Sequence, residues 1–192
     1  MTWQTDEFGT SHEGSAGALL ADGSEPDPVY LDTGSGSTVH STREWWAYDG
    51  TRGTPRAAEV RGSCSCGWRG TGRYPIDWSH TIEDRPHLFG TSGPRHDWDR
   101  HIGEVEARSV PLPAELAGLL ERVDGHLASL AEEEPLAALR AVAALERTTW
   151  RAGRSAARNT EVDEVPWDAV GTALGLTESA ARSRLTGYLL RH

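Results

Sequence analysis

Lysine is absent from this 192-residue sequence, so all 19 basic residues are arginine. Cysteine is nearly absent: Cys64 and Cys66 are the only two, with one serine between them. Long apolar runs are missing too, and no stretch approaches the roughly 20 residues needed to span a bilayer. The opening MTWQTDEFGT has neither a basic region nor an apolar stretch, so it does not read as a secretion signal. These absences lead to the expectation of a cytoplasmic protein with no membrane segment. There is also no phosphate loop, nucleophile elbow or paired-carboxylate signature, and the chain is read as a non-enzyme. What is present is 25% charged and 37% hydrophobic residues, with 21 glycines and 10 prolines. That balance suits a loop-rich chain with room for one ordinary domain or two small ones.

The net charge of −10 is unevenly spread. Residues 1–139 carry 11 arginines against 23 acids, whereas residues 140–192 carry 8 arginines against 6 acids. Affinity for phosphate therefore belongs to the C-terminal quarter, and an excess of two positive charges implies weak DNA binding by a single copy. Residues 1–40 contain seven acids, no arginine, and runs such as DGSEPDP and DTGSGST. Low hydrophobicity with unbalanced charge predicts an acidic, mostly disordered tail.

Residues 41–110 hold five of the eight tryptophans, Trp45, Trp46, Trp68, Trp78 and Trp98, among short segments rich in Gly, Pro, Arg and His. AAEVRGSC reads as a short strand, WRGTGRYPI as its hairpin partner, and DWDRHIGEVEAR as a short helix. Aliphatic residues are sparse, and a module this small needs a staple.

The cysteines suggest what the staple is. A disulfide between residues two apart would close a very tight ring and would be unusual in a reducing compartment. A metal-free thiol pair and a redox pair remain alternatives. In C-S-C-G, however, a tight turn can aim two thiolates at one ion, with Gly67 supplying the backbone freedom. Two thiolates make half of a tetrahedral zinc site. His101 follows Trp98 by three residues, with Val105 behind it, and so faces inward as the strongest histidine ligand. His96 is next, spaced from His101 as paired zinc histidines often are; His80 is third, and Asp97 offers an oxygen. The expected set is thus Cys64, Cys66, His101 and His96 around a structural Zn2+.

From residue 111 the texture is helical. Leucine and valine fall at 112, 116, 120, 123, 127 and 130, a heptad-like seam that either packs on the next helix or pairs two chains. Pro135 separates it from a second helix from Leu136 to about Arg158. In VPWDAVGTALGLTESAARSRLTGYLLRH, Pro166 suits a first helical turn, and Trp167, Val170 and Leu174 share one face. Gly171 leaves room for a close crossing, Gly175 ends the helix, and Thr177 caps the next, with Ala180, Ala181 and Leu185 inward. Two helices joined by such a turn make a helix-turn-helix. In that geometry Thr177, Glu178, Ser179, Arg182, Ser183, Arg184 and Thr186 are the candidate DNA contacts, and Arg147, Arg151, Arg154 and Arg158 form a stripe that can follow the backbone.

The pattern W-x-x-V-G-x-x-L-G-L-T-x-x-A-A-x-x-R-L resembles actinobacterial regulators with a segment like SWxEIGxxLGVS. It also resembles region 4 of sigma-70-type factors, whose register LGLTESAARSRL keeps. The likeness covers about 25 residues and implies double-stranded DNA as the ligand, with RNA polymerase or another protein as a candidate partner. The segment around CSCGWRG resembles a family of small actinobacterial proteins, a likeness that implies no activity. The expectation is therefore an α+β chain: an acidic tail over 1–40, a zinc-stapled, Trp-rich β/α module over 41–110, and a helical hairpin plus helix-turn-helix over 111–192. It would act as a sequence-specific DNA-binding transcriptional regulator, a homodimer through the 112–134 helix. The alternative is a protein-interaction adaptor whose C-terminal helices are only structural.

Overall fold

A computed structural model describes residues 2–31, 40–51, 53–79 and 90–190. The described chain is mixed α/β and divides into two compact units, residues 1–107 and 108–192.

In the first unit β1 (Thr2–Trp3), β2 (Gly14–Leu19), β5 (Glu59–Cys64) and β6 (Tyr74–Pro75) form one antiparallel sheet in the order β1-β2-β5-β6. A separate ribbon pairs β3 (Val29–Leu31) with β4 (His40–Thr42). The strand and hairpin partner read from AAEVRGSC and WRGTGRYPI are β5 and β6. Helix α1 (Ser92–Arg108) buries Trp98, His101, Ile102 and Val105, a set at helical spacings of three and four. These side chains meet Trp3, Phe8, Ala16, Ala18, Trp45, Tyr48, Val60 and Ile76 in one core. Trp3 and Trp98 lie 5.9 Å apart at their ring centres, and Trp45 and Trp78 lie 5.7 Å apart. Tryptophans thus take the place of the missing aliphatic residues.

One expectation is overturned here. Residues 2–31 are not a disordered tail, because β2 is a central strand paired along its whole length with β5. The segment does have few large apolar residues. Its inward positions Gly14, Ala16 and Ala18 are small because the large side chains of α1 and its neighbours fill the space above them. The DTGSGST run, residues 32–38, falls outside the described residues.

The second unit is helical: α2 (Ala114–Glu133), α3 (Pro135–Val162), α4 (Trp167–Ala173) and α5 (Glu178–Leu190). Only Glu134 separates α2 from α3, and the two helices pack on one another as a hairpin. Pro135 begins α3 because its missing N–H costs nothing in the first turn. Ala157, Val170, Ala181 and Leu185 form a compact second core with Trp167, Leu176, Tyr188 and Leu189 around it. Ala181 rather than Ala180 points inward; Ala180 is exposed. Among the described residues, no helix is long and apolar enough to cross a membrane.

Candidate functional site

Four side chains from three distant parts of the first unit converge. His12 ends the 3-10 turn Gly9–His12, Cys64 ends β5, Cys66 sits in the turn after it, and His101 lies on the inner face of α1. Their ligating atoms all lie within 4.8 Å of one another. Cys64 Sγ is 3.6 Å from His12 Nδ1, and Cys66 Sγ is 3.3 Å from His101 Nε2. His12, Cys64 and His101 are buried; Cys66 is half-buried. Both thiols are free. This cluster can hold a metal ion.

Local chemistry explains the convergence. The Gly67 N–H donates to the Cys64 carbonyl at 3.0 Å, closing the C-S-C-G turn that brings both sulfurs to one side, and Gly67 takes φ +97°. The β2–β5 register sets Gly14 opposite Cys64 and so carries His12 to the same end of the sheet. Ser65 then ties the two segments together. Its N–H donates to the Glu13 carbonyl at 2.8 Å, its Oγ accepts from the Glu13 N–H at 2.9 Å, and its O–H donates to the Thr10 carbonyl at 3.0 Å.

The protonation chemistry suits a cation. Cys64 hydrogen-bonds to Cys66, and that bond, with help from the Trp68 N–H and His101, holds the Cys66 thiol down to about 4 against the opposing effect of burial. The same bond, reinforced by burial, pushes Cys64 up. The lowered Cys66 favours a thiolate at that position, and a bound cation would displace the thiol protons that remain. The buried Trp98 indole N–H has no partner of good geometry among the described residues, yet it lies near enough to Cys64 to favour its thiolate. An ionised Cys64 would give that N–H an acceptor.

Cys64, Cys66 and His101 are brought together as the sequence suggested, but the fourth member of the cluster is His12 and not His96. His96 is exposed and lies outside the cluster. Five residues along a helix turn the side-chain direction by about 140°, so His96 and His101 cannot both face inward. Asp97 is used elsewhere, accepting the Tyr74 O–H at 2.8 Å. His80 lies outside the described residues. Sequence reasoning missed His12 because it lay in the segment read as a tail.

The second group of sequence candidates lies on α5. Thr177 caps the helix, its Oγ1 accepting the Ala180 N–H at 3.2 Å. Thr177, Glu178, Ser179, Arg182, Ser183, Arg184 and Thr186 are all exposed. Arg182 is not idle: it pairs with Glu178 at 3.0 Å and its guanidinium lies 5.1 Å from the centre of the Trp167 ring. The upstream stripe is split. Arg147, Arg151 and Arg158 are exposed, whereas Arg154 is half-buried and stacks on Trp150.

Comparison with protein-family models, with curated proteins and with solved structures finds no match to this chain.

Proposed function

We propose that this chain is a DNA-binding regulator whose N-terminal unit is held together by a structural zinc ion. The exposed polar face of α5, standing on a small core shared with α3 and α4, is the observation that carries the DNA reading. Such a helix can enter a major groove with Ser179, Arg182, Ser183 and Thr186 toward base edges. Thr177 and its neighbouring N–H groups would approach a phosphate, and Arg147, Arg151 and Arg158 would add backbone contacts. The Glu178–Arg182 pair must open for Arg182 to reach a base, so base contact competes with an internal one.

Zinc is the ion that fits the donor set. Two thiolates and two imidazoles are a common tetrahedral set, and bonds of about 2.3 Å to sulfur and 2.0–2.1 Å to nitrogen imply ligand-to-ligand edges of about 3.3–3.8 Å. The Cys66–His101 and Cys64–His12 pairs, at 3.3 and 3.6 Å, lie in that range. Two thiolates also neutralise a divalent charge, so the loaded site adds no net charge to the core. Four protein ligands leave no open position for a substrate, which supports a structural role and a non-enzyme. Reduced thiols suit the cytoplasm.

Selection from random duplexes followed by a salt titration tests the reading. Affinity should fall linearly on a log–log plot, with a slope near 0.9 per phosphate neutralised. Binding that ignores salt, or no enriched sequence, would count against it. The exposed leucines of α2 and α3 favour a second reading, an adaptor that engages a protein. Replacing Arg182 and Ser183 with alanine separates the two: DNA binding should collapse with the fold intact under the first, and nothing should change under the second.

A further inference from the structure

We propose that the Trp98 indole N–H donates to the Cys64 sulfur of the loaded metal site and so leaves Cys66 as the sulfur open to soft electrophiles. The inference rests on the reading of the cluster as a zinc site, and it adds a division of labour between the two thiolates. Trp98 is a positioning residue in this account, acting on the ion through Cys64.

Trp98 is 2% exposed, and its buried Nε1 has no hydrogen-bond partner among the described residues. A buried donor in that state calls for an acceptor that some other state of the site supplies. Its position says which acceptor. A Cβ built on Gly14 would come within 2.5 Å of Nε1, so the nitrogen stands over Gly14. Gly14 pairs directly with Cys64 across the β2–β5 ladder. Directly paired residues project from one face of a sheet, with Cβ atoms about 4.5–5.5 Å apart. The indole nitrogen and the Cys64 side chain therefore share one small space above the sheet. Glycine at position 14 is what admits the indole there.

The two sulfurs differ in their surroundings. Cys64 is 4% exposed and belongs to the core that holds Trp3 and Trp98. Two N–H groups stand near it, the Trp98 indole and the Cys66 main chain, and both favour its thiolate. Cys66 is half-buried in the turn, between exposed Ser65 and Gly67. Once Cys64 and His101 are turned to an ion, the N–H left beside Cys66 is that of Trp68.

Donor count and access act in the same direction. A thiolate that shares its lone pairs with N–H groups has less electron density to offer an attacking partner, and a donor held by the protein also fixes the sulfur toward the ion. Cys64 is thus shielded both sterically and electronically. Cys66 is reachable from solvent and carries one donor fewer. The site has a closed sulfur and an open one.

Iodoacetamide is the probe. Attack by a thiolate forms an S–C bond and expels iodide, and the resulting thioether loses its charge and most of its hold on the ion. Peptide mapping of the full-length, zinc-loaded protein after limited reaction should find the carbamidomethyl group on Cys66 well before Cys64. Trp98→Phe keeps an aromatic ring over Gly14 but removes the donor. It should speed reaction at Cys64 about tenfold or more and change Cys66 little. In the cobalt-loaded form the same substitution should move the sulfur-to-metal charge-transfer bands to longer wavelength, a shift that looser packing alone does not produce. If Trp98→Phe fails to fold, the unaltered protein decides: loading with cadmium should move the Trp98 indole proton downfield in the NMR spectrum and slow its exchange with water. An indole proton that loading leaves in place, or a Cys64 that reacts as fast as Cys66, would overturn the proposal while leaving the metal site standing. A chain that takes up no metal fails the zinc reading itself, and this inference with it.

Discussion

The His101 imidazole lies flat on the Trp68 indole, with ring centres 4.5 Å apart and planes within 7°, while its Nε2 stays 3.3 Å from Cys66 Sγ. Trp68 therefore fixes the direction in which His101 presents its nitrogen. Residues that orient a metal ligand without touching the ion usually matter by 10–100-fold in affinity. Trp68→Ala is expected to weaken zinc binding by about that factor, and Trp68→Phe by much less, in competition with a chromophoric chelator. Equal affinity in all three proteins would show that stacking positions nothing.

The ligand set is tested by contrasting two histidines. One zinc per chain is expected in the unaltered protein. Cobalt substitution should give the visible bands of a tetrahedral ion and the ultraviolet bands of thiolate coordination. His12→Ala should lose both sets or shift them strongly, whereas His96→Ala should leave them unchanged. Chelation should lower the thermal midpoint of the first unit, because an ion that binds only the folded state adds about 4 kcal/mol when free ion exceeds its Kd a thousandfold. A midpoint unaffected by chelation would remove the staple.

That contrast also shows where the sequence was readable. Cys64 and Cys66 were conspicuous because no other thiol competes, and His101 because Trp98 and Val105 mark an inward helical face. The helix boundaries near Pro135 and Gly175 followed from local backbone chemistry. His12 was hidden for a tertiary reason. Trp3, Phe8 and Leu19 are the large apolar residues buried in a segment dominated by Gly, Ser, Ala, Thr, Pro and acids, and composition alone says that such a chain cannot bury enough surface. It succeeds because Trp98 lies directly over Gly14, where an added Cβ would come within 2.5 Å of the indole nitrogen. The bulk that holds β2 comes from a helix more than 80 residues away in the chain. A period of two made of small residues was the faint signal, and strand propensity discounts glycine and alanine.

Glu25 provides a pH test. Burial alone would raise its carboxyl pKa, but hydrogen bonds and positive charge from Arg61 and Arg69 outweigh this and hold it below the usual range. Arg69 Nε donates to it at 2.7 Å, and Arg61 donates to the same oxygen. A depressed folded-state pKa adds stability that is present above the unfolded value, about 4.3, and is lost as pH falls through the folded value. Partly exposed pairs are screened, so Glu25→Gln should cost about 0.5–1 kcal/mol at pH 7 in urea titrations. The difference between the two proteins should shrink as pH drops below about 4. Comparing them at each pH cancels loss of the metal, which is common to both. A gap that stays constant into acid would show that the charge is not what matters.

Gly171 tests the proposed DNA reading. Its position allows the turn after α4 to fold back over the helix: the Leu176 N–H donates to the Gly171 carbonyl at 2.8 Å. A Cβ here would lie 2.9 Å from the Leu176 carbonyl oxygen and 3.3 Å from the Glu178 nitrogen, both main-chain atoms that no side-chain rotation can move aside. Gly171→Ala must therefore push the start of α5 away from α4. Overpacking of this kind costs about 1–3 kcal/mol. The second core is built largely from small and medium side chains, so a loss of that size should show as a lower unfolding midpoint for the helical unit. Zinc content should stay at one per chain, because all four ligands belong to the other unit. DNA affinity should fall further than folding stability alone requires, since Thr177 and Ser179 move with the start of α5. If Gly171→Ala bound duplex as well as the unaltered chain while its helical unit unfolded earlier, the α4–α5 geometry would not be what reads DNA.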